Sequence, residues 1–593
     1  MNQRVRTNNR NKINKGPSLT SWRFWLVLCS ITVIFIGLGG RAAYLQVYNS
    51  EDLNRRSDNI TVRTKQDDVE RGMILDRNGI ELAVSVPVQA IWADPKIIAE
   101  NSVKKRLDVK DDRRWQALAD VLHLNRDKLY RRVTSNPKKR FVYLKRQVEP
   151  AMADYVRALK IPGVYQRKES KRYYPNGEIS AHLVGFTNLD AQGIDGIEKL
   201  YNKQLVGSSG SRKIRKDASN REIEVLEEVE PVAGQSLTLS IDQRIQAIAY
   251  KAVKKAVTSY GAASGSAVVV DVKTGEVLAL VNSPSYNPNN RAGVQNHRFR
   301  NRAVTDVYEP GSILKPVAVI SALEFGSYQA DDMIDTSPGY MRVGRARVQD
   351  SRNYGEMDMR GILQHSSNVG VAKLALSMPK EHLLDTFYNL GFGSDTGLGL
   401  IGESSGLFGD KQRWSQFELA TLSFGYSLSV TTAQLARMYA TLGNDGIRMP
   451  LTILKQQNPV EGERAVSSST SKALLGMMES VLEEGGTGQK ARVAGYRIAG
   501  KTGTSRIAGK GGYGSNYVGS FGGVGPASNP KLAVVVLIND PSGDYFYGND
   551  VAGPAFSTIM GSSLRLLNIA PDQGKFDHTV EHTVAATNGR RAL

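Results

Sequence analysis

Three short patterns in the sequence combine side chains that could carry out nucleophilic catalysis. In chain order they are Ser312-Ile-Leu-Lys315, Ser366-Ser367-Asn368 and Lys501-Thr502-Gly503-Thr504. A serine hydroxyl by itself is only weakly reactive, and it becomes a useful nucleophile when a neighbouring neutral amine can take its proton. The spacing of Ser312 and Lys315 therefore indicates a serine nucleophile with a lysine base.

Each pattern is a weak signal by itself, because such short patterns recur by chance. The S-x-x-K spacing also occurs at Ser102, Ser135 and Ser469, the S-x-N spacing at Ser285 and Ser351, and the K-T-G triplet at Lys273. An isolated S-x-x-K is most often a coincidence on the protein surface. The order of the three patterns and their sequence context distinguish the set that contains Ser312 from these copies.

The residues around Ser312 predict the start of a buried helix. The tripeptide Glu-Pro-Gly before the serine is a helix-start signal, and the apolar run at 313–325 suits a buried helix. Pro316 falls in the first turn, where a proline is tolerated. Lys315 then lies one turn beyond Ser312 on the same helix face, where its amine can reach the hydroxyl.

The segment before Ser312 predicts a helix followed by a β-hairpin. Ser240 and Gln243 have the spacing of a capping box, and apolar residues at helical spacing follow at 245–256. Two β-rich runs, 266–272 and 276–282, flank a Lys-Thr-Gly turn and predict an antiparallel pair.

The segment after Ser312 is mainly helical to about residue 490. Strand character returns at 497–504, gives way to a glycine-rich loop, and resumes at 531–540. Helix, hairpin, helices and late strands together predict an α/β domain whose sheet is closed by the C-terminal segment.

The N-terminal residues predict a single membrane anchor. Residues 1–23 contain six basic and no acidic side chains, and residues 24–40 carry no charge. At about 1.5 Å per residue, such a run covers most of the hydrocarbon core of a bilayer. The positive-inside rule places the basic flank in the cytoplasm and the chain after about residue 45 outside. A cleaved signal peptide is the alternative, although no clear cleavage site follows the apolar run.

Length and composition narrow the function classes further. A chain of 593 residues with 41% hydrophobic and 23% charged residues suggests two to four globular domains. Its one cysteine, Cys29, lies in the predicted anchor and allows no intramolecular disulfide, and its seven histidines show no metal-ligand spacing. The net charge of +19 admits an anionic partner, but a domain outside the membrane argues against nucleic acid.

The segment between the anchor and about residue 230 is polar and charge-rich. RGMILDRNG at 71–79 predicts a short strand and an Asn-Gly turn, and residues 113–133 have amphipathic helical spacing. The carboxylates of Asp190, Asp195 and Glu198 are suited to Ca²⁺, but a turn-rich structural segment is the favoured interpretation.

The ordered S-x-x-K, S-x-N and K-T-G set is the signature of penicillin-binding proteins and serine β-lactamases. Further blocks extend the resemblance over nearly the whole chain apart from its two ends: RAAYLQV (41–47), RGMILDRNG (71–79), YEPGSILKP (308–316), HSSNVGVAKLAL (365–376), FGYSLSVTTAQLA (424–436) and GYRIAGKTGT (495–504). The sequence therefore resembles a class B penicillin-binding protein. Glu309 before Pro-Gly-Ser, and Asn368 in place of an aspartate, resemble the cell-division branch. Ser505, where alanine is common, and Tyr547-Gly548-Asn549 depart from the usual pattern.

The resemblance implies an α/β multidomain fold with five parts. They are a cytoplasmic basic tail (1–23), a single N-terminal transmembrane helix (24–45), a β-rich, dimerisation-like pedestal domain (46–232), a transpeptidase domain of the penicillin-binding and serine β-lactamase type, with an antiparallel sheet flanked by helices (233–569), and a flexible C-terminal tail (570–593).

The resemblance also implies catalytic roles for five residues. Ser312 is the nucleophile and Lys315 the base, which must be neutral, and burial beside Lys501 lowers its pKa. Ser366 bridges the two amines and relays a proton to the leaving group. Asn368 hydrogen-bonds the substrate amide and Lys315.

Substrate binding is implied for a second set of residues, which comprises Ser367, Thr502, Gly503 and Thr504. Lys501, Thr502 and Thr504 suit the terminal carboxylate of a D-Ala-D-Ala peptide. The backbone N–H groups of Ser312 and Thr504 form the oxyanion hole. The resemblance implies no metal and no organic cofactor.

Two neighbouring features leave alternatives open. His365 beside Ser366 suggests a Ser–His pair, but a structural histidine is favoured. Tyr545, Phe546 and Tyr547 either wall the site or pack their own loop.

The function that the resemblance implies is crosslinking of peptidoglycan stem peptides during septal wall synthesis, with β-lactam antibiotics as inactivators. The implied location is the inner membrane, with the catalytic domain in the periplasm. Implied partners are a D-Ala-D-Ala donor, an amine acceptor, an FtsW-like glycosyltransferase and other division proteins, but no nucleic acid.

Two alternatives belong to other classes of function. A D,D-carboxypeptidase or β-lactamase would hydrolyse the acyl-enzyme, but the one ExLN-like match to the glutamate of class A β-lactamases, at Glu51, lies beside the predicted anchor. A catalytically dispensable division scaffold is the other alternative, and the intact set of three patterns argues against it.

Overall fold

The computed structural model describes residues 21–574 except for eleven residues within that range. These are residues 68, 107, 218, 220, 326–327, 410–412 and 510–511. Most of the two predicted tails, 1–23 and 570–593, therefore lies outside the described residues.

The chain divides into two compact units. One comprises Met1–Val69 and Ser208–Val232, and the other Glu70–Gly207 and Ala233–Leu593. The predicted pedestal, 46–232, is thus shared between the two units.

The first unit contains a long apolar helix. Ser21–Ala43 is α-helical and continues as a π-helical segment at Tyr44–Tyr48. Within the described residues, Trp22–Tyr48 is the one segment long and apolar enough to cross a membrane, and none of it is buried. The predicted span, 24–45, lies inside this segment.

The rest of the first unit is a helix, Ser50–Thr61, and a three-stranded antiparallel sheet. The strand order is Val62–Asp67, Gly210–Lys216, Glu222–Val229. Arg215 in the central strand bonds to Asp58 at 3.0 Å and to Glu224 at 2.9 Å, so it connects the central strand to the helix and to the strand Glu222–Val229.

The N-terminal part of the second unit is built around the long strand Glu81–Ala93. It pairs with Ile74–Leu75, Val142–Val148 and Val164–Tyr173, all antiparallel, and Leu237–Thr238 adds in parallel to Ile74–Leu75. The predicted Asn-Gly turn is confirmed, since Gly79 adopts a left-handed φ of 82° between the first two strands.

Four helices pack on this sheet, namely Pro95–Lys105, Arg113–Val121, Arg126–Thr134 and Pro150–Ala158. The amphipathic helical spacing at 113–133 corresponds to two of these helices. Their apolar faces form a small separate core around Trp115, Leu118 and Leu122. Shorter elements complete this part: Gly177–Ile179, Ala181–Val184, Phe186–Thr187, Gly193–Asp195, Gly196–Leu200 and Asn202–Val206.

Glu198 lies in this part of the unit, fully buried between two arginines. Its carboxylate accepts bonds of 2.6 Å from Arg71 and from Arg172. Both carboxylate oxygens are therefore held by guanidinium groups, which is the structural role that the sequence favoured over Ca²⁺ binding.

The C-terminal part of the second unit contains a five-stranded antiparallel sheet. Its order is Val277–Ser283, Ser264–Asp271, Leu532–Asn539, Gly512–Gly525, Ala499–Gly509. The predicted hairpin and the late strands are confirmed. Ala499–Gly509 lies at the edge of the sheet and is called the edge strand below.

The predicted glycine-rich loop after residue 504 is wrong. Gly512–Gly525 is a 14-residue strand, and its glycines at 519, 522, 523 and 525 stand where a side chain would collide with a neighbour. A Cβ on Gly522 would lie 2.4 Å from the Tyr439 ring, and one on Gly523 would lie 2.7 Å from the Ala499 carbonyl oxygen. Tight packing, and not turn formation, accounts for these glycines.

Helices cover the sheet and form the rest of the core. They are Gln243–Ser259, Lys315–Phe325, Met359–His365, Asn368–Leu376, Lys380–Asn389, Gln416–Leu422, Thr432–Gly443, Ser468–Glu479 and Gly553–Leu566, with short helical turns at Asn296–Phe299, Arg302–Thr305, Gly311–Leu314, Ser480–Leu482, Gln489–Ala491 and Gly548–Val551. Short paired strands are Ile334–Asp335 with Glu356–Met357, Tyr340–Val343 with Ala346–Gln349, and Ile447–Arg448 with Glu463–Arg464.

The predicted capping box at residue 240 is also wrong. The first long helix of this part begins at Gln243, and its N-cap is Asp242, which accepts from the Arg244 N–H. The Ser240 hydroxyl instead donates to the Val277 carbonyl at 2.7 Å. The serine therefore fixes the chain to the sheet, and the aspartate starts the helix.

Candidate active site

Ser312 lies in a short 3₁₀ turn, Gly311–Leu314, and the α-helix begins only at Lys315. Gly311 has a left-handed φ of 63°, and a Cβ there would lie 2.9 Å from the Thr504 carbonyl oxygen. Its N–H donates to the Gly425 carbonyl at 3.0 Å. The glycine is required because the turn is pressed between two backbone segments.

The edge strand packs directly on this turn. A Cβ on Gly503 would lie 2.3 Å from the Ser520 Oγ and 3.0 Å from the Ile313 Cβ. The Ser505 hydroxyl donates to the Glu309 carbonyl at 2.5 Å. Gly503 thus allows the close approach of strand and turn, and Ser505, which departs from the common family pattern, fixes it.

Lys315 and Lys501 meet at one hydroxyl. Both side chains are fully buried, and the Nζ of each donates to the Ser366 Oγ at 3.0 Å. Lys315 also donates to the Ser366 carbonyl. The structure therefore brings the lysines of the first and third patterns to Ser366, the first serine of the second pattern.

Burial changes the pKa of both amines. It lowers the pKa of Lys315 to about 7, although the negative charge of Asp350 acts in the opposite direction. It lowers the pKa of Lys501 well below the ordinary value, and the adjacent Lys315 lowers it further. Two ammonium groups at one desolvated hydroxyl repel each other, so a neutral amine is available near neutral pH.

The Ser312 hydroxyl itself is partly exposed and accepts or donates no hydrogen bond within the described part of the chain. Lys315 is thus bonded to Ser366 and not to the serine three residues before it. Contacts of an activating base are often long before substrate binds, so this geometry does not exclude Lys315 as the base for Ser312.

Ser366 owes its position to a helix end. It follows Met359–His365 in the left-handed conformation, with φ 61°, and its N–H bonds back to that helix. The preceding His365 ring stacks on Tyr354 with centroids 5.2 Å apart. This contact supports the structural interpretation of His365.

Asp350 is a residue that the sequence patterns did not indicate. Its Oδ2 accepts from the Ser367 hydroxyl at 2.6 Å, and its Oδ1 accepts from the backbone N–H groups of Asn368 and, at 3.0 Å, Val369. One carboxylate therefore anchors Ser367 and Asn368 of the second pattern. It lies outside that pattern in the sequence, before Met359–His365, so only the fold brings it there.

Ser367 is predicted to contact substrate. Its side chain is fully buried, accepts from the Gly370 N–H at 2.9 Å as a helix N-cap, and donates to Asp350. The hydroxyl is therefore used to position the chain within the protein, and the substrate contact stays a prediction.

The remaining predicted residues lie around this centre. The Asn368 amide donates to the Gln349 carbonyl at 2.9 Å and has no described bond to Lys315. The Thr502 hydroxyl donates to Thr487 at 3.1 Å, and the Thr504 hydroxyl accepts from the Gly548 N–H at 3.0 Å. An edge strand leaves alternate backbone groups unpaired, as an oxyanion hole at Thr504 requires.

The aromatic residues 545–547 were expected either to wall the site or to pack their own loop, and they differ from one another in this respect. Phe546 stacks on Tyr517 with centroids 4.1 Å apart, so it packs the loop. Tyr545 and Tyr547 are more than half exposed and free to contact a ligand.

Two family models match the chain. The penicillin binding protein transpeptidase domain matches residues 265–561, and the penicillin-binding protein dimerisation domain matches residues 66–239. The chain belongs to the penicillin-binding protein family. These matches cover both the sheet that carries Lys501 and the part of the second unit built around Glu81–Ala93.

Curated relatives support the same assignment for this penicillin-binding protein. It is 48% identical over 573 residues to the peptidoglycan D,D-transpeptidase FtsI of Escherichia coli, with 96% of each chain covered. It is 41% identical over 557 residues to FtsI of Buchnera aphidicola, with 94% of this chain and 97% of the relative covered. The predicted cell-division branch of the family is thereby confirmed.

Solved structures share its fold. A peptidoglycan synthetase from Bifidobacterium adolescentis aligns with a TM-score of 0.68 at 28% identity, over 87% of this chain and 98% of that one. Penicillin binding protein 3 from Mycobacterium tuberculosis, complexed with aztreonam, aligns with a TM-score of 0.66 at 27% identity. The alignment covers 86% of this chain and 98% of that one. The predicted multidomain α/β fold is confirmed.

Proposed function

We propose that this chain is a peptidoglycan D,D-transpeptidase that crosslinks stem peptides through an acyl-enzyme on Ser312. The observation that carries the proposal is the Ser366 hydroxyl, which accepts a 3.0 Å bond from each of two buried amines. A hydroxyl held between two amines of lowered pKa can pass a proton in either direction. Acyl transfer needs such a group, because one proton leaves the nucleophile and another reaches the leaving group.

In the first half-reaction, the neutral Lys315 amine takes the proton of the Ser312 hydroxyl. The serine oxygen forms a bond to the carbonyl carbon of the penultimate D-Ala of the donor peptide. The N–H groups of Ser312 and Thr504 donate to the oxygen that becomes negative. The C–N bond then breaks, and the departing D-Ala nitrogen receives the proton from Lys315 through Ser366.

In the second half-reaction, the amine of a neighbouring stem peptide attacks the ester carbonyl. It loses a proton to the lysine–serine group, the C–O bond to Ser312 breaks, and the serine oxygen regains a proton. The products are the crosslink and the free enzyme. A β-lactam follows the first half-reaction, but its opened ring stays attached, so the acyl-enzyme resolves slowly.

Donor recognition is assigned to the edge strand. The hydroxyls of Thr502 and Thr504, with Lys501 behind them, provide donors for the terminal carboxylate of the donor peptide. Lys501 Nζ lies 3.3 Å from the Thr502 hydroxyl, so the amine and the hydroxyl can act on the same group. Gly503 contributes backbone alone, and Asn368 is assigned to the substrate amide.

We further assign the chain to the inner membrane, with residues 1–23 in the cytoplasm and the catalytic domain in the periplasm. The apolar segment Trp22–Tyr48 and the basic flank before it support this orientation. The proposed partners are an FtsW-like glycosyltransferase that supplies glycan and other division proteins. Membership of the FtsI branch supports these partners.

The test is labelling of the detergent-solubilised protein with a fluorescent penicillin. Wild type is compared with Ser312→Ala and with Ser469→Ala, which removes the exposed serine of another S-x-x-K copy. Stable labelling of wild type and Ser469→Ala, lost in Ser312→Ala, is expected. Label that appears and decays rapidly would favour a hydrolase, and no labelling of folded wild type would favour the scaffold.

A further inference from the structure

A polar cavity of about 290 Å³ lies in the second unit, apart from the Ser312 site. Its walls come from the strand Val164–Tyr173, from residues 187–189 and from the loop 288–292, with Gln147 beside them. No member of the three catalytic patterns lines it. The cavity therefore joins the part of the unit around Glu81–Ala93 to the part that carries the active site.

The lining has an excess of positive charge. Lys171, Arg172 and Arg291 line the cavity, and none of the described lining residues is acidic. Arg172 pairs with the carboxylate of Glu198, which also accepts a hydrogen bond from Arg71. Arg291 donates to backbone carbonyls at 3.0 and 3.3 Å, and the Lys171 side chain has no hydrogen bond or ion pair with any described residue. Glu198 thus balances Arg71 and Arg172, and no described carboxylate pairs with Lys171 or Arg291.

Arg172 also has a donor that nothing satisfies. Its side chain is only 2% exposed, and its second terminal nitrogen has no hydrogen-bond partner among the described residues. A buried donor without a partner is rare, because its loss of hydration is not compensated. An acceptor bound in the cavity would supply that partner.

Two amide side chains in the wall, those of Asn188 and Asn290, also offer hydrogen-bond donors to a ligand. The Asn188 Oδ1 accepts from the N–H groups of Asp190 and Gln192 at 2.9 Å each. The Asn290 Oδ1 accepts from the Ala292 N–H at 3.4 Å. Because both oxygens are used by local turns, the groups left to bind a ligand are NH₂ donors.

We propose that this cavity is a binding site for a phosphate-type oxyanion, such as a phosphate ester or a diphosphate. Cations and amide donors converge on it, and an anion with three or more oxygens can accept from several of them at once. The space exceeds the roughly 30 Å³ that one water occupies in the liquid, so a group of this size fits. A bound oxyanion would bridge Lys171 and Arg172 to the loop that carries Arg291.

The test measures thermal unfolding of the full-length protein in detergent at constant ionic strength. Inorganic pyrophosphate, inorganic phosphate and acetate are each titrated into wild type. The expected result is a saturable rise in Tm with pyrophosphate and phosphate but not with acetate. Lys171→Met should weaken the apparent affinity by about tenfold or more, since it removes a charged donor.

Two further variants make the result specific. Lys168→Met, an exposed lysine on the same strand that does not line the cavity, is the matched control and should behave as wild type. Asn290→Asp keeps the acceptor for Ala292 but places a negative charge in the wall, so the shift should disappear. Penicillin labelling should be unchanged in all three variants, because none touches the Ser312 site.

A wild type that shows no saturable shift would overturn the proposal. So would a shift that survives in both Lys171→Met and Asn290→Asp, since the anion would then bind elsewhere. An equal response to acetate would overturn the phosphate assignment in favour of a carboxylate. An absence of penicillin labelling in wild type would instead count against the proposed function. It would not affect the conclusion about anion binding, which the Tm measurement tests separately.

Discussion

Lys315 and Lys501 share one hydrogen-bond acceptor, the Ser366 hydroxyl, at the same distance of 3.0 Å. The two residues come from patterns almost two hundred positions apart and are both fully buried. Burial lowers the pKa of both amines, and the proximity of Lys315 lowers that of Lys501 further, so that a base is available at neutral pH. Proton transfer at Ser366 therefore depends on the packing that brings these two distant segments of the domain together.

The first prediction concerns pH. Only the neutral Lys315 amine can accept a proton, and its pKa is about 7. The second-order rate constant for penicillin acylation should therefore rise with a unit slope below that pH and level off above it. Stopped-flow acylation between about pH 5.5 and 8.5 measures this. A rate that is flat or falls with pH would contradict Lys315 as the base.

The second prediction concerns stability. The folded protein lowers the pKa of Lys315 from 10.5 to about 7, so the unfolded chain holds this proton more tightly. The resulting penalty, on the order of a few kcal/mol, is fully present below about pH 7 and disappears as pH rises towards 10.5. Lys315→Met should abolish acylation and raise Tm at pH 6 by roughly 2 °C or more.

The control for that experiment is Lys273→Met, which removes the exposed lysine of the other K-T-G copy. It should leave both acylation and Tm unchanged. A lower Tm for Lys315→Met than for this control would mean that the buried amine stabilises the fold.

The third prediction concerns Asp350. Asp350→Asn removes an acceptor for Ser367 or for the adjacent N–H groups, so acylation should fall about tenfold to a hundredfold as the Ser366 region shifts. The charge of Asp350 raises the pKa of Lys315, so the midpoint of the pH profile should also move to lower pH. Stopped-flow acylation as a function of pH measures both effects.

Asp358→Asn is the matched control for this variant. Asp358 caps the neighbouring helix Met359–His365, and asparagine is an equally good cap. Its pH midpoint should stay at the wild-type value. If Asp350→Asn slows acylation without moving the midpoint, Asp350 acts only through the fold.

The fourth prediction concerns the glycine of the K-T-G pattern. Gly503→Ala places a Cβ 2.3 Å from the Ser520 Oγ, so the edge strand must move away from the Ser312 turn. Acylation should fall at least about a hundredfold. Gly509→Ala on the same strand meets nothing closer than 3.9 Å and should retain wild-type rates. Adding Ser520→Ala to Gly503→Ala should restore part of the activity, and no restoration would point to the contacts with Ile313 and Pro310.

The sequence by itself predicted the elements and the residue types at the reaction centre. The hairpin at 266–272 and 276–282 is visible because two β-rich runs around a short Gly-containing turn are typical of an antiparallel pair. Ser312, Lys315, Ser366 and Lys501 were found because order and spacing are properties of the chain. The anchor was visible because a long uncharged run is hard to accommodate in water.

Local patterns failed where long-range contacts determine the role of a residue. The sequence of Gly512–Gly525 is typical of a loop, but Gly522 and Gly523 pack closely against Tyr439 and Ala499, which are distant in sequence. Ser240 looked like a cap, but its hydroxyl bonds to the sheet. Local sequence propensity describes the conformation that a segment prefers in isolation. Close packing against residues that are distant in sequence can impose a different conformation.

The tertiary structure alone decided which groups meet. Asp350 has no pattern of its own and becomes part of the site only because the fold places it beside Ser367 and Asn368. Ser367 resembles a ligand contact in the sequence but is enclosed as a helix cap. The sequence determined the chemical groups, whereas burial and proximity, which set their charge state and hydrogen bonds, arise only when distant segments pack together.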